Sequence, residues 1–116
     1  MELIKNELDG IKIKDKTFDY KIEEIQSYKP YLTNPQDKFV QILQKTAIKI
    51  LGRDVPLVAS GQRSVGNVIS KLGIPVINAF GCVGGNVHAY NEWIDIDTIS
   101  QVFEIYKTAI LDYSNN

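Results

Sequence analysis

"VPLVASGQRSVGNVISKLGIPVINAF", residues 55–80, is the run from which the architecture of this chain is best read. It holds two short, mainly apolar segments, "VPLVA" at 55–59 and "IPVINAF" at 74–80. Neither alternates strictly between polar and apolar residues, so each reads as a short strand covered on both faces. Between them "SGQRSVGN" (60–67) is a polar turn with two glycines, leading into a helix expected at about 64–72 that Gly73 should stop.

The flanking sequence extends this alternation. Upstream, Asn34-Pro35 is expected to open the strongest helix. Asn34 has a side chain suited to capping, Pro35 has the dihedral of a first helical position, and Asp37 suits the positive first turn. Phe39, Ile42/Leu43, Ala47 and Ile50/Leu51 keep a 3.6-residue period, and Gly52 ends it. Downstream, after "WIDI", Asp97 is expected to cap a last helix with Ile99, Val102/Phe103, Tyr106 and Ile110 facing inward. From Asn34 onward the order is helix, strand, helix, strand, loop, helix. That order indicates an α/β fold, a mostly parallel sheet with flanking helices. Before it, "ELIKNEL" (2–8) reads as a short helix closed by Gly10, and "IKIKDKTFDYKIEEI" (11–25) alternates as one or two strands. "QSYKPYLTNPQ" (26–36), with two prolines and no apolar period, reads as a linker.

The totals suit one soluble domain: 116 residues, 44% hydrophobic and 23% charged. A net charge of −1 gives no basic field, which argues against nucleic acid or an anionic membrane as partner. One cysteine forms no internal disulfide, and no signal core or membrane-spanning run is visible, so the expected compartment is the cytoplasm.

In parallel sheets ligands bind beyond the carboxyl ends of the strands. The turn after Ala59 and the loop after Phe80 lie at those ends and are expected to converge on one rim. The second loop, "GCVGGNVHAYNEW" (81–93), holds the only cysteine, histidine and tryptophan and three of the eight glycines. His88 is open to three readings: a metal ligand, a general base or a structurally satisfied histidine. Cys82 is not at zinc-finger spacing and reads as a small packing residue. Glu92 is either a carboxylate that orients the imidazole or a surface acid. Trp93, Tyr90 and Phe80 read either as rings that stack on a substrate or as core and rim packing. In the first turn Ser64 opens a helix whose N–H groups suit an anion, without the lysine of a P-loop. Arg63 is either the partner of a carboxylate held there or a solvated loop residue.

Four features in order resemble the C-terminal segment of the zinc-dependent amidohydrolases that include acetylornithine deacetylase, succinyl-diaminopimelate desuccinylase and aminoacylase-type peptidases. They are "LVASG" then "SVGN", "LGIPVINAFG", "HAYNEW", and the closing helix "DIDTISQVFEIYKTAILDY". The resemblance covers about residues 28–116. "TFDYKIEEIQSYKPYLTNPQDKFVQIL" is also similar to the last strand of the family's lid and dimerisation domain returning to the catalytic domain. It implies that residues 1–30 end the lid domain and residues 31–116 are a C-terminal segment of the catalytic domain. His88 then matches a histidine that binds one of two catalytic zinc ions, with cobalt as a possible substitute. That metal pair activates a water and polarises the scissile amide. Asn91 and Glu92 hold the loop around the histidine. Gly81, Gly84 and Gly85, with Arg63, Ser64 and Asn67, approach the substrate.

The chain departs from the family pattern twice. Where the family carries Thr/Ser-Asp-Gly/Ala-Arg, this chain has Ser64-Val65-Gly66-Asn67, losing acid and arginine together. The family's His-x-Asp motif, bridging aspartate and ligand acids are absent, and Glu23-Glu24, the only such pair, lies in the lid-like segment. The resemblance therefore implies a piece of a longer cytoplasmic enzyme, inactive alone and holding no metal or one weakly. Its partners would be the missing N-terminal half of the catalytic domain, further copies of itself, and an N-acyl amino acid of the lysine, ornithine or diaminopimelate type. The alternative is an autonomous, non-catalytic α/β module that self-associates through exposed apolar faces.

Overall fold

Asp37 starts the best-packed helix of the chain. In the computed structural model, which describes residues 1–115, helix α2 spans Lys38–Leu51. The Asp37 carboxylate accepts from the Phe39 N–H at 2.8 Å. Asn34 and Pro35 form a turn ahead of it instead of the first helical residues. The Asn34 side chain accepts from the Gln36 N–H at 2.9 Å, and its carbonyl accepts from the Asp37 N–H at 3.0 Å. The start thus falls later than the sequence suggests, because Asp37 also has a side-chain oxygen two residues from an orphan N–H. The end falls where expected, at Gly52, which takes the left-handed conformation (φ 65°).

We number the remaining helices α1 (Glu2–Lys14), α3 (Gly66–Ile69, continued by a 3-10 turn at Ser70–Leu72) and α4 (Asp97–Ser114). The core is the seam between α2 and α4. Leu43 and Ala47 meet Ile105 and Ala109, each pair four residues apart and so on one helical face. Phe80, Val55 and Ile77 pack against its edge. The inward face of α4 is not the one periodicity indicates. Ile105 is fully buried, whereas Phe103 and Ile110 are each 63% exposed and Ile99 and Tyr106 are exposed as well. The helix is apolar on two faces, and sequence alone does not say which one meets α2. Asp97 is its first residue and not its cap; the preceding turn is closed by Asp95, whose carboxylate accepts from the Asp97 N–H at 3.0 Å.

Two strand expectations fail. Gly10 does not stop α1, which runs through Ile11 and Ile13 with no buried residue. A glycine inside a helix costs only about 1 kcal/mol, and the surrounding lysines and leucines favour helix. The chain then reverses: Asp15 accepts from both the N–H and the hydroxyl of Thr17, and Tyr20 and Asp19 bond back to Asp9 and Lys12. Residues 18–25 form no ladder.

The apolar runs 55–59 and 74–80 are also without a ladder. Side chains hold them instead. Gln44 donates to the Val55 carbonyl at 2.8 Å. The Thr33 hydroxyl donates to the Val76 carbonyl at 2.6 Å and accepts from its N–H at 3.1 Å. The expected mostly parallel sheet is therefore absent among the described residues. The one sheet there is antiparallel and two-stranded, β1 (Gly84–Gly85) with β2 (Trp93–Ile94), so the fold is mixed helix and sheet. A strand exists only where a neighbouring strand takes its N–H and C=O groups, and these two runs have side-chain partners but no paired strand. The radius of gyration is 20.6 Å, far above the value of about 13 Å for a compact chain of this length. No helix among the described residues is long and apolar enough to cross a membrane.

Candidate substrate cavity and histidine turn

A cavity of about 480 Å³ lies between the linker, the run that ends in the 60–67 turn, and residues 76–78. Its wall is mostly apolar or uncharged, with Tyr28, Tyr31, Asn67 and Asn78 among the polar groups. Among the described residues lining it, Arg63 alone carries a charge.

The turn that carries Arg63 is held by reciprocal capping. Ser64 Oγ accepts from the Gly66 N–H at 3.0 Å, while Asn67 Oδ1 accepts from the Ser64 N–H at 3.1 Å. Asn67 Nδ2 also donates to the Lys29 carbonyl at 3.2 Å, tying the turn to the linker. Gly66 is buried, and a Cβ there would fall on Tyr31 Oη and 2.8 Å from Val76 Cγ1, so only glycine fits. The sequence suggested an anion seat at the start of this helix, and the structure does not provide one. α3 is four residues long, and the N–H groups of Gly66, Asn67 and Val68 are taken by Ser64 and Val65. The positive charge on the cavity wall comes from Arg63 alone.

His88 occupies a different setting. It sits in the turn between β1 and β2, exposed, with φ 67°, and Asn86 before it has φ 56°. Both are in the left-handed region that non-glycine residues avoid. Local bonds hold the turn: Ala89 N–H to the Asn86 carbonyl at 2.9 Å and Asn86 Nδ2 to the Asn91 carbonyl at 3.4 Å. Glu92 Oε2 accepts from the backbone N–H of His88 at 3.4 Å, so the carboxylate meets the main chain and not the imidazole. Gly84 and Gly85 make room for β2, since a Cβ would lie 2.7 Å from the Trp93 carbonyl or 2.8 Å from its indole nitrogen. Gly81 is exposed, with open space around the Cβ it lacks. At the base, the Asp95 N–H donates to the Val83 carbonyl at 2.8 Å, and the Val83 N–H to Thr98 Oγ1 at 3.1 Å. The Tyr106 hydroxyl donates to the Phe80 carbonyl at 2.6 Å, and burial, with Cys82 nearby, raises its pKa above the usual tyrosine value.

Arg63 and Asn67 thus line the cavity, with Ser64 capping the same turn, while Gly81, Gly84, Gly85, His88, Asn91 and Glu92 gather in the hairpin. No residue of 81–93 lines the cavity, so the two loops do not share one rim here. Among the described residues no group of three or more His, Cys, Asp or Glu could hold a metal ion. Within that set His88 offers one imidazole. Tyr28, Tyr31 and Thr33, which wall or brace the cavity, escaped the sequence reading. Their signal was the aromatic "YKPYLT" inside a stretch read only as linker.

The profile of peptidase family M20/M25/M40 matches residues 4–112. The succinyl-diaminopimelate desuccinylase of a Sulfurovum species is 30% identical over 92 residues, 79% of this chain and 25% of that protein. The enzyme of the same name from a Nitratiruptor species is 27% identical over 94 residues, 81% of this chain and 26% of that protein. That of Nautilia profundicola is 30% identical over 100 residues, 85% of this chain and 27% of that protein. The chain spans about a quarter of the length of these curated relatives. No solved structure matches it.

Proposed function

This chain belongs to peptidase family M20/M25/M40, and from that premise we propose that it is one part of a longer metal-dependent amidohydrolase acting on an N-acyl amino acid whose acyl group ends in a carboxylate. The observation that carries the reading is Arg63, the one charged side chain among the described residues lining an otherwise uncharged cavity. A guanidinium in such a wall favours a carboxylate, which it can grip with two parallel N–H bonds. The succinyl group in the relatives' name has such an end; an acetyl group does not. That the amino acid is of the lysine, ornithine or diaminopimelate type rests on analogy with the family.

In this reading His88 gives one imidazole to a zinc or cobalt site, and the other ligands come from a separate N-terminal half of the catalytic domain. The chain alone is inactive. Glu92 and Asn91 hold the turn that presents His88, and the glycines at 81, 84 and 85 keep that turn slim. The runs 55–59 and 74–80 become strands of a mostly parallel sheet once neighbours supply their ladders. Residues 1–30 belong with a lid domain and 31–116 with the catalytic one, in a cytoplasmic homo-oligomer. Self-association as a non-catalytic module is the second reading, and the exposed stripe of Ile99, Phe103, Tyr106 and Ile110 on α4 favours it.

The test is a chimera in which this chain replaces the matching quarter of the Sulfurovum enzyme. We expect zinc- or cobalt-dependent hydrolysis of an N-succinyl amino acid, falling at least about 100-fold with His88→Ala. Undiminished activity in the His88→Ala chimera overturns the ligand assignment. A chimera with no activity, together with a stable oligomer of the isolated chain in sedimentation, favours the second reading.

A further inference from the structure

We infer that Tyr28 is a positioning residue for Arg63, holding the guanidinium at the cavity wall without neutralising it. This rests on the reading of Arg63 as a carboxylate partner and adds how the side chain is kept ready. The Arg63 guanidinium carbon lies 4.0 Å over the centroid of the Tyr28 ring, and Lys71 Nζ lies 5.5 Å from the same centroid. Among the described residues no carboxylate or carbonyl accepts a hydrogen bond from Arg63. A contact with a π face uses none of the five guanidinium N–H donors, so all remain for a ligand. An aspartate or glutamate at position 28 would order the arginine equally well but would occupy those donors.

The ring is itself fixed to the turn it serves. Tyr28 is half-buried, and the next residue's carbonyl accepts from Asn67 of the Arg63 turn at 3.2 Å. Farther along, Thr33 exchanges two hydrogen bonds with Val76. The linker segment 28–33 is thereby fastened at both ends to the wall of the cavity it lines. A long, exposed arginine in an irregular turn would otherwise sample many rotamers, and ordering it on binding weakens affinity.

Proton NMR of the 116-residue chain, titrated with N-succinylglycine, tests this. Ring current from Tyr28 should move the Arg63 Hδ resonances upfield of those of Arg53, the only other arginine. Tyr28→Phe should preserve that shift and the affinity. Tyr28→Leu should abolish the shift and weaken binding about 2- to 5-fold, with no further loss when added to Arg63→Ala. An unshifted Arg63 in the wild-type chain overturns the inference whether or not any variant folds. If Arg63→Ala weakens binding while Tyr28→Leu matches wild type, positioning fails and the carboxylate reading stands. If Arg63→Ala binds as wild type, that reading fails and takes this one with it.

Discussion

The Arg63 turn and the His88 turn look alike in sequence: each follows an apolar run, carries glycines and bears one cation or imidazole. Their anchorage differs. The Arg63 turn is bonded to Lys29, packed on Tyr31 and Val76, and bridged by Asn78 Nδ2 to the Gln62 carbonyl. The His88 turn is held by partners within five residues, and only its base reaches α4. A turn locked by contacts distant in sequence has both its shape and its place set by these residues. A turn locked only by its neighbours has its shape set, while its distance from the cavity depends on what else packs against the hairpin.

Given this difference, glycine substitutions in the two turns should have unequal effects. Gly66→Ala should have the larger, because its Cβ meets Tyr31 and Val76, which are themselves held by the linker. We expect a loss of roughly 1–3 kcal/mol, read as a fall in Tm of several degrees per kcal/mol. Gly85→Ala should cost about 1 kcal/mol or less, since the atoms it meets belong to the Trp93 indole, which is 51% exposed and free to swing outward. Trp93 is the only tryptophan, so its emission reports that movement directly. A Tm fall larger for Gly85→Ala than for Gly66→Ala would reverse the ranking of the two turns.

What was legible in the sequence follows the same division. Signals that act within a few residues were read well. Gly52 and Gly73 both end their helices in the left-handed conformation (φ 65° and 75°), as glycine permits at a C-terminus. Signals that need a partner were not. Residues 55–59 and 74–80 have the composition of buried strands, but pairing depends on neighbours that they lack here. α4 has apolar residues on two faces, and Ile105 and Ala109, not Phe103 and Ile110, meet α2. In the site, Ser64 and Asn67 were read as substrate groups, whereas their side-chain oxygens cap each other's turn. Arg63 could be placed in the polar turn from sequence, which left open whether it meets a carboxylate or solvent. Its contact with Tyr28 could not be read, because that exists only once the linker folds across the turn.

The smallest effect separates the turns by pH. Tyr106 fastens the chain just ahead of the hairpin to α4 through its bond to the Phe80 carbonyl, and the two rings meet edge to face at 5.7 Å. Burial raises its pKa, the nearby Cys82 adding to this. The folded state therefore favours the protonated phenol. Its contribution is fully present below the unfolded value near 10 and is lost as pH rises through the higher folded value. The deprotonated oxygen no longer donates, and a phenolate facing a carbonyl is repelled. The base of the hairpin should then loosen while the capping bonds of the Arg63 turn, made by the non-titrating side chains of Ser64 and Asn67, persist. Trp93 emission should change above about pH 10. Tyr106→Phe should remove that alkaline step, which distinguishes it from titration of the other tyrosines and the lysines. An identical alkaline step in Tyr106→Phe would mean that the hairpin is not held to the helices through Tyr106.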